Sequence, residues 1–279
     1  MMNFIRTIFW FIVFTILAVT TVHAQGVRGN GDVIKKARDV ASFTAINTSD
    51  GWDLQLTQDD HYAMTIEADE NLIDLVQTEV RNGVLYIYSD TRIRQSEERT
   101  IHLTFSELNS ITARDGSDIY AEDLISADDF TLDLDEGSDL DRLELSANTL
   151  TATFENGSDA RIRFESIQTI TLNADGGSDI ELRNISGTSC ELRLADGSDA
   201  NLDGRTQELT IVATGGSDIE AYRFEVVDAI LDLSNSSDAE MTITGSVDLK
   251  LSGGSDLEIR GKPQIKHSDL CKSCDLELR

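Results

Sequence analysis

The residues of this sequence with the clearest chemistry are aspartates that recur at near-constant spacing. Eight Ser-Asp pairs recur periodically between residues 117 and 256, and successive aspartates are 18 to 21 residues apart. The aspartates are Asp118, Asp139, Asp159, Asp179, Asp199, Asp218, Asp238 and Asp256, and Asp275 holds the ninth place after Cys274. Carboxylate oxygens are hard ligands of the kind that Ca²⁺ prefers. The aspartates are therefore a candidate calcium site if the fold brings them together.

Two interpretations of these aspartates stay open at this point. In the structural interpretation, each Asp caps its own turn by accepting backbone N–H hydrogen bonds. In the functional interpretation, carboxylates and turn carbonyls bind Ca²⁺ between successive repeats. The glycine-rich nonapeptide of calcium-binding β-rolls does not occur in the sequence. No other cofactor is predicted.

Catalytic constellations are not recognisable in the sequence. The histidines after the N-terminal segment are His61, His102 and His267, which are far apart in the chain, and the repeated carboxylates include no distinguished pair. Cys271 and Cys274 form a C-x-x-C pair without the βαβ context of a redox motif, so we expect a local disulfide or two free thiols. The sequence predicts a protein that is not an enzyme.

The elements that position the aspartates follow from the residues around each Ser-Asp pair. Gly precedes the Ser in seven of the eight copies, which indicates a tight turn. Apolar residues alternate on both sides of it, as in Ile170, Leu172 and Ala174 before the turn and Ile180 and Leu182 after it. Each repeat thus reads as strand, turn, strand and connection.

Such a unit buries its apolar face only by stacking on its neighbours. We therefore predict an all-β fold, a right-handed parallel β-helix (solenoid) of about 20-residue coils over residues 109–279. An up-and-down barrel is the rival architecture, but it does not explain a period of one coil.

Residues 25–108 lack the period and are predicted to form an atypical N-terminal β cap of the same domain. Within it, we expect a short helix at 71–78, a hairpin turn at Asn82-Gly83 and a loop at 91–99. Trp52 is expected to pack inside the cap.

The N-terminal segment 1–24 has the pattern of a secretory signal peptide. It carries one charge, Arg6, then an apolar run and the small-residue ending Val22-His23-Ala24. Cleavage there predicts an exported protein with no stable membrane anchor, in the periplasm, on the outer-membrane surface or outside the cell. Removing Arg6 changes the net charge from −28 to −29, which disfavours binding to nucleic acid.

Several of these segments together resemble a known family. The export segment, Phe43-Thr44-Ala45-Ile46, the stretch from Ile66 to Leu72, the hairpin and the Gly-Ser turns resemble the putative auto-transporter adhesin, head GIN domain family. The resemblance implies a pectin-lyase-like β-helix in a bacterial envelope protein, no catalytic residues and a role in cell adhesion. Relatives carry Gly-Ser-Gly where this chain has Gly-Ser-Asp, so here a charged residue replaces the second glycine.

The function predicted from all of this is a non-catalytic exported envelope or surface protein that presents a rigid acidic face to an unknown protein or glycan partner. The alternatives are a periplasmic scaffold or a calcium-binding β-solenoid, and a polysaccharide-active enzyme is disfavoured. Arg161, Arg163 and Arg183 form either a small basic patch beside the aspartates or simple charge balance.

Overall fold

The computed structural model describes residues 26–279, so the predicted signal peptide lies outside the described residues. Within that range the chain forms strands and turns and contains no helix. The strands are β1 (Val27–Arg28), β2 (Val33–Arg38), β3 (Ala45–Thr48), β4 (Asp53–Gln58), β5 (Ala63–Asp69), β6 (Val76–Arg81), β7 (Val84–Ser89), β8 (Ile93–Gln95), β9 (Arg99–Phe105), β10 (Ser110–Ala113), β11 (Ile119–Ser126), β12 (Asp129–Leu134), β13 (Leu140–Ser146), β14 (Thr149–Phe154), β15 (Ala160–Ser166), β16 (Thr169–Ala174), β17 (Asp179–Ser186), β18 (Ser189–Leu194), β19 (Asp199–Thr214), β20 (Asp218–Ser234), β21 (Asp238–Leu251), β22 (Asp256–Arg260), β23 (Gln264–Leu270) and β24 (Asp275–Leu278).

The predicted parallel β-helix is confirmed, with coils of roughly 20 residues. Strands that precede each Ser turn pair in parallel and form one stack, which we call the first sheet. Strands that follow the turn form the second sheet. The long strands β19, β20 and β21 bend from the second sheet into the first, so their two halves lie in different sheets.

The core lies between the two sheets and follows from the alternation of apolar residues. Ile180 pairs with Ala200, and Ala200 pairs with Ile219 in the next coil. All three side chains are at most 3% exposed. Residues about twenty apart in the chain are therefore direct neighbours in one enclosed column. Burial of each large aliphatic side chain contributes about 1.5 to 3 kcal/mol.

The turns between the two sheets have a shared backbone conformation. At the second repeat, Glu136 and Gly137 have φ values of 56° and 70°, and Asp115 and Gly116 have φ values of 57° and 68° one coil earlier. Two consecutive left-handed residues reverse the chain tightly, and glycine adopts this region without the steric cost of a Cβ atom. The recurring Gly of the sequence pattern is explained by this geometry.

The N-terminal region contains a reversal of chain order that the sequence did not indicate. β3 pairs with both β7 and β10, and β4 pairs with both β9 and β11. The chain thus leaves the β3–β4 coil, builds an outer β7–β9 coil on one side of it, and returns to the other side. The antiparallel strands β2, β5 and β6 then flank this outer coil.

Three local expectations for this region can be compared with the structure. The hairpin turn at Asn82-Gly83 is confirmed, because it joins β6 to β7 with positive φ at both residues. The predicted helix at 71–78 is wrong: two successive tight turns, closed by the N–H groups of Leu72 and Leu75, lead directly into β6. The predicted loop at 91–99 is wrong in part, since β8 lies inside it and pairs with β1.

The C-terminal coil consists of β23 and β24 and is joined by a disulfide. Cys271 and Cys274 are bonded, which decides between the two expected states of this pair. Cys274 occupies the position that Ser holds in the other turns. Every residue of β23 is exposed, and Leu278 of β24 is 52% exposed. No helix among residues 26–279 has the length and hydrophobicity needed to cross a bilayer.

Candidate functional site: the turn edge and the outer face of the second sheet

The structure places the repeated aspartates in one row along the turn edge, which we call the Asp column. Most neighbours in the column are joined by a hydrogen bond from the backbone N–H of one Asp to Oδ1 of the Asp in the preceding coil. The donor–acceptor pairs are Asp139 to Asp118 (3.2 Å), Asp159 to Asp139 (2.9 Å), Asp179 to Asp159 (2.9 Å), Asp218 to Asp199 (2.8 Å), Asp256 to Asp238 (2.8 Å) and Asp275 to Asp256 (2.9 Å). The N–H groups of Asp199 and Asp238 donate instead to the carbonyls of Ser178 and Ser217.

The serines of the same turns form a second row, which we call the Ser column. Its members, from Ser117 to Ser255, are fully buried. Here the backbone N–H of six serines donates to Oγ of the Ser in the following coil, at 3.0 to 3.2 Å. The N–H of Ser198 donates instead to the carbonyl of Ala195. The Asp and Ser columns therefore bond the coils in opposite directions along the stack.

This geometry corrects the structural interpretation of the aspartates. Most of the carboxylates cap the turn of the following coil, not their own turn. The physical reason is that stacking brings the next N–H directly beside the carboxylate. A charged acceptor strengthens such a bond, which offsets part of the repulsion between carboxylates about 4.8 Å apart.

The electrostatics of the Asp column show that the repulsion is only partly offset. Burial raises the pKa of Asp118, Asp139, Asp179 and Asp218, and neighbouring carboxylates of the column raise it further. The column is therefore a strip of strong negative potential at neutral pH.

The sequence pattern missed one member of the column. Asp50-Gly51-Trp52-Asp53 is a turn of the same kind, with φ values of 63° and 69° at its first two residues. The N–H of Asp118 donates to Oδ1 of Asp53 at 3.0 Å, so Asp53 extends the column by one coil. Burial raises the pKa of Asp53 to about 6, although the N–H of Asp118 acts to lower it. The sequence signal that could have predicted this turn is Asp-Gly with a second Asp two residues after the Gly.

Trp52 takes the place of Ser in that turn and ends the Ser column. Its side chain is fully buried, and Nε1 donates to Oγ of Ser89 at 2.7 Å. The expected packing of Trp52 in the cap is therefore what the structure shows. Ser117, the next residue of the column, has a buried Oγ without a hydrogen-bond partner among the described residues.

Beside the Asp column, a second row of carboxylates lies on the outer face of the second sheet. Glu220, Glu240, Glu258 and Glu277 are register partners in successive strands, each two residues after an Asp of the column. We call these four glutamates, together with Asp218, Asp238, Asp256 and Asp275, the acidic double column. Neighbouring strands lie about 4.8 Å apart, and alternate residues of one strand about 6.7 Å apart. At the C-terminal end of the acidic double column, Arg279 pairs with Glu258 at 3.0 Å and with Glu277 at 2.9 Å.

A shallow trench lies where the Asp column meets the middle of this sheet. It has an empty volume of about 790 Å³, and its walls include Asp179 and Asp199 on one side and Glu181 and Asn201 on the other. Oδ1 of several column residues already accepts an N–H group. The remaining carboxylate oxygens are therefore the groups that a cation in the trench would meet.

The three predicted arginines also come together on this face, where they join a fourth. Arg161, Arg163 and Arg183 line a cleft with Arg142, and we call it the Arg cleft. Arg142 had no distinguishing sequence signal, because a β-bulge at Asp141-Arg142 turns it toward the others.

Within residues 26–279, the three histidines and the free thiol lie apart from one another. His61 lies beside Asp59 and Asp60 in an exposed turn. Among the described residues, these three side chains are close enough together to hold a metal ion. His102 contacts Glu67 at 2.8 Å, and His267 contacts Asp248 at 2.7 Å, each on a different strand. Cys190 is a buried free thiol, and burial raises its pKa to about 12, which disfavours a nucleophilic thiolate.

Comparison with known proteins decides the family. The putative auto-transporter adhesin, head GIN domain model matches residues 42–165 and 153–263. The chain belongs to this family. This assignment confirms the resemblance to the family that the sequence showed. An adhesin family indicates a binding role at the cell surface.

Solved structures share the fold of this GIN-domain chain at low sequence identity. A putative adhesin from Parabacteroides merdae is 15% identical with a TM-score of 0.68, and the match covers 91% of this chain and 98% of that one. A putative adhesin from Parabacteroides distasonis is 16% identical with a TM-score of 0.67, covering 90% and 99%. A putative lipid binding protein from the same species is 16% identical with a TM-score of 0.65, covering 91% and 99%. No curated protein matches the chain.

Proposed function

We propose that this protein is exported to the cell envelope and acts there without catalysis, as a binding module that presents a rigid acidic face to a protein or glycan partner. The observation that carries the proposal is the acidic double column. Four successive coils each contribute an Asp and a Glu to one flat sheet face, at spacings fixed by the strands.

Rigidity of this face supports a role in recognition. Every turn of the Asp column is hydrogen-bonded to a neighbouring coil, and the Ser column beneath it is buried. Carboxylates held in register lose little conformational entropy when a partner binds, so electrostatic complementarity contributes more of its energy to affinity. A basic protein surface, or a glycan that carries cationic groups, fits such a face.

The proposed location rests on the signal-like segment 1–24 and on the adhesin family. Display on the outer surface fits an adhesive role, whereas a periplasmic scaffold is the alternative. Cell fractionation combined with protease treatment of intact cells separates them: cleavage of the protein on intact cells indicates surface display, and protection until the outer membrane is opened indicates the periplasm.

Binding is tested with beads coated with the purified protein and offered to arrays of glycans, matrix proteins and cell-wall proteins. We expect retention on a basic component that weakens as salt rises, because exposed charges are screened. The triple variant Glu220→Gln, Glu240→Gln, Glu258→Gln should reduce retention at least about tenfold.

The matched control removes three charges from the outer face of the first sheet, with Asp133→Asn, Glu191→Gln and Asp232→Asn. It should retain binding to the same component. Equal loss in both triple variants would show that net charge, and not the acidic double column, governs binding. No retention on any component would overturn the proposal.

As a second candidate, we propose that the trench beside the Asp column binds Ca²⁺. The observation that favours it is a row of carboxylate oxygens along the trench. In Asp159 and Asp199, for example, Oδ1 accepts an N–H group and the second oxygen makes no such bond within residues 26–279. Calorimetric titration should give heat that disappears in the double variant Asp179→Asn, Asp199→Asn and persists in Asp59→Asn, which alters the exposed cluster near His61. No heat, together with a melting temperature unchanged by chelator, would contradict it.

A further inference from the structure

The Arg cleft is a cluster of positive side chains on a protein with a large net negative charge. The protein has 51 acidic and 23 basic residues, yet four guanidinium groups converge on one depression in the middle of the second sheet. The carboxylates that form ion pairs with these arginines are those of Asp141, Glu144 and Glu181. Four guanidinium groups thus meet three ion-paired carboxylates.

The ion pairs within the cleft leave its centre unpaired. Arg142 pairs with Glu144 at 2.8 Å, and Arg183 pairs with Glu181. Arg161 is only loosely placed, at 3.9 Å from both Asp141 and Glu181. Among residues 26–279, Arg163 makes no ion pair within the same distance, although it is exposed and acidic residues are abundant.

Strand register places Arg163 between a carboxylate and a second guanidinium group, since Glu144 of β13 is its partner on one side. Arg163 and Arg183 are direct cross-strand partners in neighbouring coils. Like charges directly opposite each other in a sheet are destabilising. A bound anion between the two guanidinium groups removes that repulsion and gives Arg163 the partner it lacks.

Two β-bulges build the cleft around β15. In β13, both Asp141 and Arg142 face outward between buried leucines, and the register shifts there. In β17, Arg183 and Asn184 do the same, with φ of 61° at Asn184. Nδ2 of Asn184 donates to the carbonyl of Phe164 at 2.6 Å, which ties this bulge to β15. Bulges that turn side chains toward one point are common beside binding sites.

We propose that the Arg cleft binds a sugar that carries a single carboxylate. Arg163 and Arg183 hold the carboxylate, since guanidinium groups match its planar geometry with paired hydrogen bonds. The cleft has an empty volume of about 440 Å³, and Leu143 and Ile162 contribute to its lining. The apolar face of a sugar ring packs against this lining and the aliphatic stems of the arginines.

Charge selects a monoanionic ligand over a polyanion. The cleft combines four guanidinium groups with three ion-paired carboxylates, and the trench with Asp159 and Asp179 begins beside it. A chain with an anionic group on every unit would run into that negative strip, whereas one terminal acidic sugar would not. Asp141 and Glu181 remain available to accept hydrogen bonds from sugar hydroxyls.

The inference goes beyond the proposed basic partner, because it places an anion site on the same sheet as the acidic double column. The test is an NMR titration of ¹⁵N-labelled protein that follows the arginine Nε–H signals, with sodium glucuronate as the probe. Methyl glucoside serves as the uncharged sugar, and N-acetylalanine as a carboxylate without a sugar. We expect glucuronate to shift the signals of Arg163 and Arg183 and to bind at least about tenfold more tightly than either comparison compound.

Arg163→Gln should weaken glucuronate binding at least about tenfold. Arg163→Lys keeps the charge but not the paired geometry, so it should give an intermediate loss and serves as the second variant if the first does not fold. Arg205→Gln is the matched control, because Arg205 is an exposed arginine of the second sheet outside the cleft. Its affinity should stay within about twofold of the parent protein.

Three results would overturn the inference: no shift of the cleft arginines, unchanged affinity in Arg163→Gln, or equal binding of methyl glucoside or N-acetylalanine. The last result with N-acetylalanine would indicate a peptide carboxylate as the ligand. The bead assay with the glutamate variants does not alter the cleft, so failure there with intact glucuronate binding would refute the acidic face alone.

Discussion

The two ends of the described solenoid are finished by different means. At the N-terminal end, antiparallel strands β2, β5 and β6 flank the outer coil, and Trp52, Phe43 and Phe105 are buried beneath them. At the C-terminal end, β23 and β24 pair only on one side within the described residues, and a disulfide closes their turn. The difference teaches that one end is stabilised by long-range packing and the other by a local covalent bond.

The largest expected effect is at Trp52, where packing terminates the Ser column. Trp52→Ala removes a fully buried ring and its hydrogen bond to Ser89, so it should lower the free energy of unfolding by about 3 to 5 kcal/mol. Urea unfolding followed by circular dichroism measures this. The comparison variant is Cys274→Ala, at the equivalent turn position of the other end. If both variants lowered the free energy of unfolding equally, the two ends would not differ in how they are stabilised.

Asp69 provides the next largest effect, because it holds the N-terminal segment to the outer coil. Its buried carboxylate accepts N–H groups from Gly31, Glu97 and Glu98. Burial acts to raise the pKa of Asp69, but these hydrogen bonds outweigh it and lower the pKa. Asp69→Ala should destabilise the protein by about 2 to 3 kcal/mol, whereas the exposed Asp60→Ala should not. Thermal melts of both variants at neutral pH decide this.

The Ser column allows a paired test of how much a buried N–H group depends on its hydrogen-bond acceptor inside the stack. Ser198→Ala leaves the buried N–H of Ser178 without its acceptor and should cost about 1 to 3 kcal/mol. Ser117→Ala removes an Oγ that has no partner, so stability should stay the same or rise slightly. Equal losses in chemical denaturation would show that Ser117 Oγ is bonded in solution.

The Asp column predicts that stability falls as the pH rises from about 4 to about 6. Burial raises the pKa of Asp53 from 3.8 to about 6, so between these values the folded protein binds more protons than the unfolded chain. Acidification from pH 7 to pH 5 should therefore raise the melting temperature, by about 2 to 4 °C for each kcal/mol gained. Asp53→Asn should reduce this shift, and a lower melting temperature at pH 5 would contradict the prediction.

The smallest global effect is expected at the disulfide. The variant Cys271→Ser, Cys274→Ser should shift the melting temperature by only about 1 to 2 °C, because β24 is largely exposed and closes a short loop. Hydrogen exchange should instead show faster exchange confined to β23 and β24. Faster exchange that extends into β21 or beyond would show that the C-terminal coil stabilises the whole stack.

Much of the fold was predictable because each coil repeats the same local solution. The alternation of apolar and polar residues, as around Ile180 and Leu182, predicted the strands, and the recurring Gly predicted the turns. The Trp52 turn was missed since Trp replaces Ser there and 65 residues separate Asp53 from Asp118. The helix at 71–78 was wrong because the N–H groups of Leu72 and Leu75 close two successive tight turns and β6 begins directly after them.

The candidate site was predictable in part, for a related reason. The row of aspartates follows from the period alone, but the partner of each carboxylate depends on how neighbouring coils stack. Arg142 could not be assigned to the cleft, because a β-bulge moves a side chain off the alternating pattern on which strand prediction relies. Sites at irregular positions of a repeat are thus the ones that need a structure.

The opposite polarity of the Asp and Ser columns has a consequence for how such a molecule can change over evolution. Most turns offer a carboxylate to the coil after them and a hydroxyl to the coil before them, so most interior units bond to both neighbours in the same way. Duplication or loss of such a unit leaves no mismatched junction. The length of the exposed surface can therefore be varied in steps of one unit without redesign of the interior.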